Sequence, residues 1–387
     1  MRIAYVCADP GVPVFGRKGC SVHVQEMLRA LQGHGAGVDV FAARVDEAPP
    51  SGLESLQIHH LTPVGDGDPP GHAVATAALN DELAALLDRA GPYDVVYERY
   101  SLWSFAGMEH AAAAGVPGLL EVNAPLIEEQ AAYRGLRDAG GADRVAACAF
   151  RAASVLLAVS AEVAAWLERR GAAGSRVHVI PNGVDAERFR PDVPPAAPGP
   201  PGSFTVGFVG SMKPWHGLDV LAEAFARLHQ RAPDARLLLV GDGPARVGVC
   251  ADLSARGLAA VVHCTEAVAP HEVPGLLTSV DAAVAPYPQA TGFYFSPLKV
   301  YEYLAAGRAV VASRVGQLET VIRHEVNGLL CPPGDAAALV AALERLRREP
   351  ALRARLGRAA RATVLRKHTW DAVAARVLEL AAAAVEA

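Results

Sequence analysis

The chain has 387 residues, 51% of them apolar, and a formal net charge of −5 at pH 7. That length exceeds one typical hydrophobic core and predicts two domains, and the lack of a global basic field argues against nucleic acid as a partner. No uncharged apolar run approaches a membrane span, the Ala-rich C-terminus being broken by Arg376, Glu379 and Glu386, so the chain reads as soluble and cytoplasmic, without membrane contact.

Six cysteines, Cys7, Cys20, Cys148, Cys250, Cys264 and Cys331, lack a CxxC pair or zinc-like spacing and read as reduced core thiols. Lysine occurs only at Lys18, Lys213, Lys299 and Lys367, whereas arginine is abundant, a bias of GC-rich coding. Three of these four lysines fall beside glycine-rich or helix-starting segments of the kind that hold phosphate.

In chain order, residues 3–8 form a short apolar run ended by Asp9 and Pro10, a buried strand and too short for a signal-peptide core. Gly19-Cys20-Ser21, with Lys18 beside it, predicts a glycine turn where a backbone N–H can approach a phosphate. Further strands are expected at 37–42, 55–60, 94–97, 118–122, 154–159 and 177–180. Gly65-Asp66-Gly67-Asp68 imitates an Asp-x-Asp metal motif, but its Pro/Gly-rich setting predicts a solvent loop and no metal. After the 94–97 strand, Glu98, Arg99 and Tyr100 would line a cleft, with Arg99 suited to a carboxylate or phosphate; packing explains Glu98 and Tyr100 nearly as well. Glu121 and Asn123 sit at the next strand end, where Asn123 can hydrogen-bond a hydroxyl without titrating.

The segment 191–202, with Pro194, Pro195, Pro198, Pro200 and Pro201, reads as the interdomain linker. The pattern then restarts: strand 204–209, helix 218–230, strand 236–240 ending in Gly241-Asp242-Gly243-Pro244, and strands 260–264, 282–285 and 309–312. Ahead of the last, Ser296 is placed to N-cap a helix that has Pro297 at its first position and stops at Gly307. Its free N–H groups near Leu298 and Lys299 would face an anion. Glu302 shares a face with Lys299; a plain surface ion pair is the alternative. The arginine-rich stretch 345–367 reads as a solvated helical face, and Trp370 opens an apolar tail. The expected division is 1–190, 203–366 and a C-terminal helix 367–387 packing back on the first domain. Alternating strands and helices make this an α/β chain of two doubly wound, Rossmann-like domains facing an interdomain cleft.

Six motifs in register, from Gly19 to His23, Val159-Ser160, Ile180-Pro181-Asn182-Gly183-Val184-Asp185, Val-Gly-Ser-Met-Lys-Pro-Trp-His-Gly at 209–217, the turn at Gly241, and residues 295–313, resemble the retaining GT-B glycosyltransferases of family 4. The resemblance covers nearly the whole chain and implies the GT-B fold. Where the family carries an Arg and a Lys on the donor diphosphate, this chain has Ser211 and His216, and Lys213 between them would supply the charge. Of the family's two glutamates eight residues apart, Glu302 matches the ribose-binding one and Tyr294 replaces the other. Asn123 stands where the family often has a histidine. The Ser-Pro-Leu-Lys helix start and Lys-Pro-Trp-His-Gly loop imply a subgroup.

The resemblance implies transfer with retention from a nucleoside-diphosphate sugar, UDP-sugar first and GDP-sugar next, to a small polar metabolite of a bacterial biosynthetic pathway, without metal or cofactor. Lys299, Lys213 and Asn123 form the expected catalytic set. Donor contacts are expected from Gly19, Cys20, Ser211, Lys213, His216, Gly241, Thr265, Val268, Phe293, Tyr294, Phe295, Ser296, Pro297, Leu298, Lys299 and Glu302, with the loop Thr291-Gly292-Phe293-Tyr294 meeting the sugar. Acceptor contacts are expected from Lys18, Glu98, Arg99, Tyr100, Glu121 and Asn123. The rivals are an exopolysaccharide or lipid-linked acceptor, a sugar-nucleotide epimerase or phosphorylase, and a non-catalytic nucleotide-sugar binder.

Overall fold

A computed structural model of the chain describes residues 1–64, 69–289 and 292–385. The expected loop at 65–68 and the part assigned to Thr291 lie outside the described residues. Two compact units form: Met1–Asn182 with Trp370–Ala387, and Gly183–Thr369.

The first unit holds a seven-stranded sheet of β1 (Arg2–Cys7), β2 (Gly37–Ala42), β3 (Gln57–His60), β4 (Val95–Arg99), β5 (Gly118–Val122), β6 (Val155–Ala158) and β7 (Val177–Val179), ordered β3-β2-β1-β4-β5-β6-β7. The second holds six: β8 (Phe204–Val209), β9 (Ala235–Val240), β10 (Val262–Cys264), β11 (Ala282–Ala285), β12 (Ala309–Ser313) and β13 (Leu329–Cys331), ordered β10-β9-β8-β11-β12-β13. Every pairing is parallel, for example β1 with β4 and β8 with β11. β5, β8 and β12 are buried along their whole length, as parallel strands covered by helices on both faces must be. In each sheet the strand order reverses beside the first strand, β1 or β8, and the carboxyl ends there open a crevice.

Helical periodicity supplies the covering layer. On the helix Leu218–Arg231, Leu218, Leu221, Ala222, Phe225 and Leu228 recur at spacings of three and four and enter one core with Phe208, Leu239 and Val284. Gly217 precedes this helix at φ 69°, and a Cβ there would run into the Pro286 carbonyl. Among the described residues, no helix is long and apolar enough to cross a membrane.

Two expectations change. The proline-rich segment is not the junction: the chain leaves the first unit at Asn182 and returns at Trp370, and 191–202 lies on the second unit. There Ala196 N–H donates to Gly275 O (2.9 Å) and Ala197 N–H to Ser279 Oγ (2.9 Å). Proline removes donors, and these two remaining N–H groups are met by the helix Val273–Thr278 and its C-cap Ser279, which pins the segment down. The helix Trp370–Val385 packs on the helix Gly19–Gly33 of the first unit. Second, Cys250 and Cys264 form a disulfide across a Cα separation of 6.7 Å, while Cys7, Cys20, Cys148 and Cys331 are free. The helix Arg246–Ala255 carries Cys250 to the end of β10, a pairing that linear spacing does not reveal.

Replacing Gly217 by alanine combines a left-handed backbone with a collision against backbone, so Gly217→Ala is expected to lose about 3 kcal/mol, read as a lower urea midpoint at unchanged slope.

Candidate functional site

In the second unit β8 ends at Val209 and turns through Gly210 at φ 145°. A Cβ at Gly210 would stand 3.2 Å from Lys299 Cδ, and one at Gly241 would run into the Gly210 carbonyl. Two adjoining strand ends are thus pared to backbone where the helix Leu298–Ala305 begins. Tyr303, on that helix, ties it to β8: its hydroxyl donates to Val209 O (2.7 Å) and accepts from Val209 N–H (2.8 Å).

The helix starts one residue later than expected. Pro297 is the N-cap and Leu298 the first residue, with no side-chain cap. Ser296 instead turns inward, its hydroxyl 3.4 Å from that of Tyr301, which donates to Gln317 Oε1 (3.0 Å). The Leu298 and Lys299 N–H groups lie ahead of the first helical bond, from Val300 N–H to Pro297 O (3.0 Å). The helix stops as expected at Gly307 (φ 64°), where Arg308 N–H donates to Tyr303 O (3.1 Å).

Lys299 sits on the first turn, only 8% exposed. Its Nζ lies 4.3 Å from the Phe208 ring centroid and 5.0 Å from that of Tyr287, and has no hydrogen-bond partner among the described residues. Burial drives its pKa well below that of ordinary lysine, against the opposing pull of Glu302. His216 closes the same cluster, its ring 5.9 Å from Phe208 and 5.5 Å from Tyr287, and its Nδ1 2.5 Å from Ser211 O. Burial, then the Lys299 charge, push its pKa down to about 3, so His216 is neutral at pH 7 and serves as a brace for the loop. Lys213 is half-buried in that loop, its Nζ 6.0 Å from the Trp215 ring, and Ser211 is exposed.

The other donor-side candidates divide. Thr265 Oγ1 accepts Gly241 N–H (3.0 Å), and Thr265 O accepts Arg246 Nε–H (2.7 Å). Phe293 is core: it is 5% exposed, packs on Tyr287 (4.9 Å) and Phe295 (5.4 Å), and presses on Gly316, so it is not available to a donor. Val268 and Phe295 pack against the same core from its margin. Tyr294 stacks obliquely on Phe295 (4.4 Å), and Glu302 is half-buried.

In the first unit, Gly19 and Cys20 are the first residues of the helix Gly19–Gly33, not a loop before it, because the Lys18 carbonyl already accepts Val22 N–H (2.9 Å). Lys18 itself is exposed. Alternation along β4 separates the acceptor candidates. Glu98 is fully buried toward the helix Ala106–Ala114, bonded to the Ser104 hydroxyl and crowding Gly107, and burial pushes its pKa up to about 7. Tyr100 packs between Phe150 (5.2 Å) and Trp166 (6.4 Å). Both therefore leave the acceptor set. Arg99, on the other face, reaches Glu121 (3.3 Å), and Asn123 keeps a buried Nδ2 without a partner among the described residues.

Sequence reasoning missed two groups. His23 bridges Glu121 (Nε2 to Oε1, 2.5 Å) and Asn182 (Nδ1 to Oδ1, 2.8 Å), with its ring edge-on to Trp370 at 5.0 Å. Both His23 and Asn182 stand inside motifs that the sequence displays. A cleft of about 210 Å³ at the carboxyl ends of β1 and β4 is lined by Asp9, Ser101, Trp103, Glu129, Gln130 and Arg134 among others. The Ser101 hydroxyl is buried there without a partner among the described residues. The loops after β1 and β4 and the helix Leu126–Tyr133 with its C-cap Arg134 supply these residues, so no local pattern marks them. Among the described residues no group of three or more His, Cys, Asp or Glu could hold a metal ion.

Residues 17–188 match the family described as Glycosyltransferase Family 4, and residues 203–349 match that described as Glycosyl transferases group 1. The chain is 32% identical to a D-inositol 3-phosphate glycosyltransferase of Acidothermus cellulolyticus over 392 residues, covering 94% of this chain and 84% of the relative. The chain is a family 4 glycosyltransferase. Its GT-B fold is shared with sucrose-phosphate synthase from Thermosynechococcus elongatus (TM-score 0.73, 23% identity, 98% of both chains). It is shared equally with Anabaena HepE, solved in complex with UDP and glucose (TM-score 0.71, 20% identity, 99% of this chain and 100% of that one).

Within the first unit of this glycosyltransferase, burial alone would raise the Glu121 pKa, but His23 and Arg99 outweigh it and hold the carboxyl down at about 2. A carboxyl depressed on folding contributes its stability in full above its unfolded value, near 4.5, and gives it up as pH falls toward about 2. Thermal melts across that window should show the wild type losing stability on acidification, while Glu121→Gln starts lower at pH 6 and loses less; parallel curves would contradict the assignment.

Proposed function

We propose that this glycosyltransferase moves a sugar from a nucleoside-diphosphate sugar, with UDP favoured and GDP next, to a small polar acceptor, with retention at the anomeric carbon. The observation that carries the reading is the Lys299 ammonium position: a buried nitrogen without a hydrogen-bond partner among the described residues, at an uncapped helix N-terminus. Oriented N–H groups and a cation together suit a diphosphate. HepE, which was solved with UDP and glucose, supports the uridine choice, and the inositol phosphate relative supports a small acceptor.

In this reading the acceptor nucleophile attacks the anomeric carbon from the face that the diphosphate leaves. The new bond forms as the bond from that carbon to the phosphate oxygen breaks, and the departing oxygen takes the acceptor proton. Lys299, Lys213 and the first-turn N–H groups meet the charge growing on the diphosphate, so the step invokes no metal. Glu302 offers two oxygens to the ribose diol, and Asn123 a donor to a sugar hydroxyl. The acceptor fits the 210 Å³ cleft, where Ser101 would bond a hydroxyl and Trp103 would offer a ring face. A cytoplasmic bacterial biosynthetic pathway is the setting this chemistry suits.

Thermal-shift titration with UDP, GDP and TDP tests the donor; UDP should raise the midpoint most, and no shift with any of them would sink the reading. Lys299→Met should lower turnover about a hundredfold, whereas Glu302→Ala should chiefly weaken nucleotide binding. Full activity in both would refute the donor site. Trp103→Ala should raise the acceptor KM about tenfold or more with a smaller effect on kcat, and unchanged acceptor kinetics would remove the acceptor from this cleft.

A further inference from the structure

We infer that binding of a nucleoside-diphosphate sugar is accompanied by uptake of a proton from solvent, taken by the Lys299 amine. The inference rests on the donor reading above and concerns the protonation state in which the empty site waits.

Lys299 Nζ is enclosed by the Phe208 and Tyr287 ring faces and by Gly210, and it has no hydrogen-bond partner among the described residues. An ammonium in that position has lost its water without gaining acceptors, and such groups shed the proton rather than stay charged. The titratable and charged neighbours, taken element by element, do little to reverse this. On its own helix, the Tyr303 hydroxyl is engaged by Val209, and Glu302 is the single group that favours the charge. From the loop after β8 come Lys213, a like charge that brings it no acceptor, and His216, which burial keeps neutral at pH 7. From the segment after β11 comes Tyr287, which burial holds protonated and therefore uncharged. Attraction to the two rings favours the ammonium, but it is weaker than the desolvation it opposes. The net direction is a strongly depressed lysine, consistent with its buried geometry.

A diphosphate changes the balance. Two phosphate charges beside the amine supply both the missing acceptors and an opposing charge, so the bound state favours the ammonium. No substrate bond changes; one proton passes from solvent to Nζ on binding and returns when the nucleotide leaves. By linkage, affinity falls as pH rises between the pKa of the free amine and that of the bound ammonium, by up to about tenfold per pH unit. The Lys299 amine would thus be uncharged when the site is empty and an ammonium when it is occupied.

Isothermal titration of the full chain with UDP-glucose and with GDP-mannose, each in buffers of different ionisation enthalpy, reads the proton directly. These probes carry a diester diphosphate that does not itself titrate near neutrality, so any proton belongs to the protein. Expected, over the pH range in which affinity falls as pH rises, is uptake approaching one proton per nucleotide sugar bound. Lys213→Met should weaken binding yet keep the uptake. Lys299→Arg, which carries a permanent charge, should bind without uptake and with a flat pH dependence if it folds with wild-type circular dichroism. Should that variant misfold, the wild-type proton count decides alone. Tight binding with no proton uptake would overturn this inference and leave the donor reading standing. Failure of both sugars to bind would overturn both.

Discussion

The second unit is organised by the need to bury a lysine without giving it an acceptor. Lys299 occupies a helix's first turn, where the dipole disfavours a cation, and its stem passes close to Gly210, where a Cβ would stand 3.2 Å from Lys299 Cδ on a backbone at φ 145°. That crowding dictates the rest. Gly241 must in turn approach the Gly210 carbonyl as bare backbone, and Tyr303 anchors the helix to β8 by two hydrogen bonds to Val209. Phe208 and Tyr287 wall the amine with ring faces instead of carboxylates. A structural ion pair would have placed a carboxylate within bonding distance of Nζ; what stands there is two aromatic rings and no hydrogen-bond partner among the described residues.

The polar cluster of the first unit obeys the opposite rule. Glu121 is as deeply buried as Lys299, yet His23 and Arg99 both reach it, and its charge is stabilised in place. Networks satisfied in this way rigidify. His23 also holds Asn182 and packs on Trp370, the residues at which the chain leaves this unit and returns to it. The same imidazole therefore joins the carboxyl end of β5 to both chain crossings. The contrast separates two kinds of buried ionisable group: the partnered one fixes the scaffold, and the unpartnered one is the group that the donor reading proposed above assigns to a ligand.

Much of this was legible in the sequence because the controlling signals are local. Parallel strands buried among helices read as short apolar runs, so the expected bounds of β2, β5, β8 and β11 coincide with the observed ones, and Gly307 marks the helix stop. Lys299 was conspicuous as one of four lysines beside a helix start. What failed depended on direction or on distance along the chain. Glu98 and Arg99 are neighbours in sequence but point to opposite faces of β4, so one became core and the other joined Glu121. Phe293 looked like a loop residue because its burial comes from Tyr287 and Gly316, neither of which is adjacent. The proline-rich stretch looked free because its composition shows missing donors and not the Gly275 and Ser279 acceptors that meet the rest. The Cys250–Cys264 pair and the Ser101 cleft likewise exist only once distant segments meet.

The departures from the family pattern become intelligible through the same lysine. With Ser211 and His216 at positions where cations are usual, the loop after β8 keeps one positive side chain, Lys213, which is half-buried. His216 could have restored a charge, but its ring is committed to Phe208 and Tyr287 and its Nδ1 to Ser211 O, and burial beside Lys299 holds it neutral. A second fixed cation packed against Lys299 would raise the cost of charging the buried amine further. Removing it lowers that cost, so a neutral brace at 216 and a chargeable lysine at 299 are two halves of one arrangement: the loop is held by packing, and on the donor reading proposed above the charge at the helix N-terminus comes from Lys299, with Lys213 beside it.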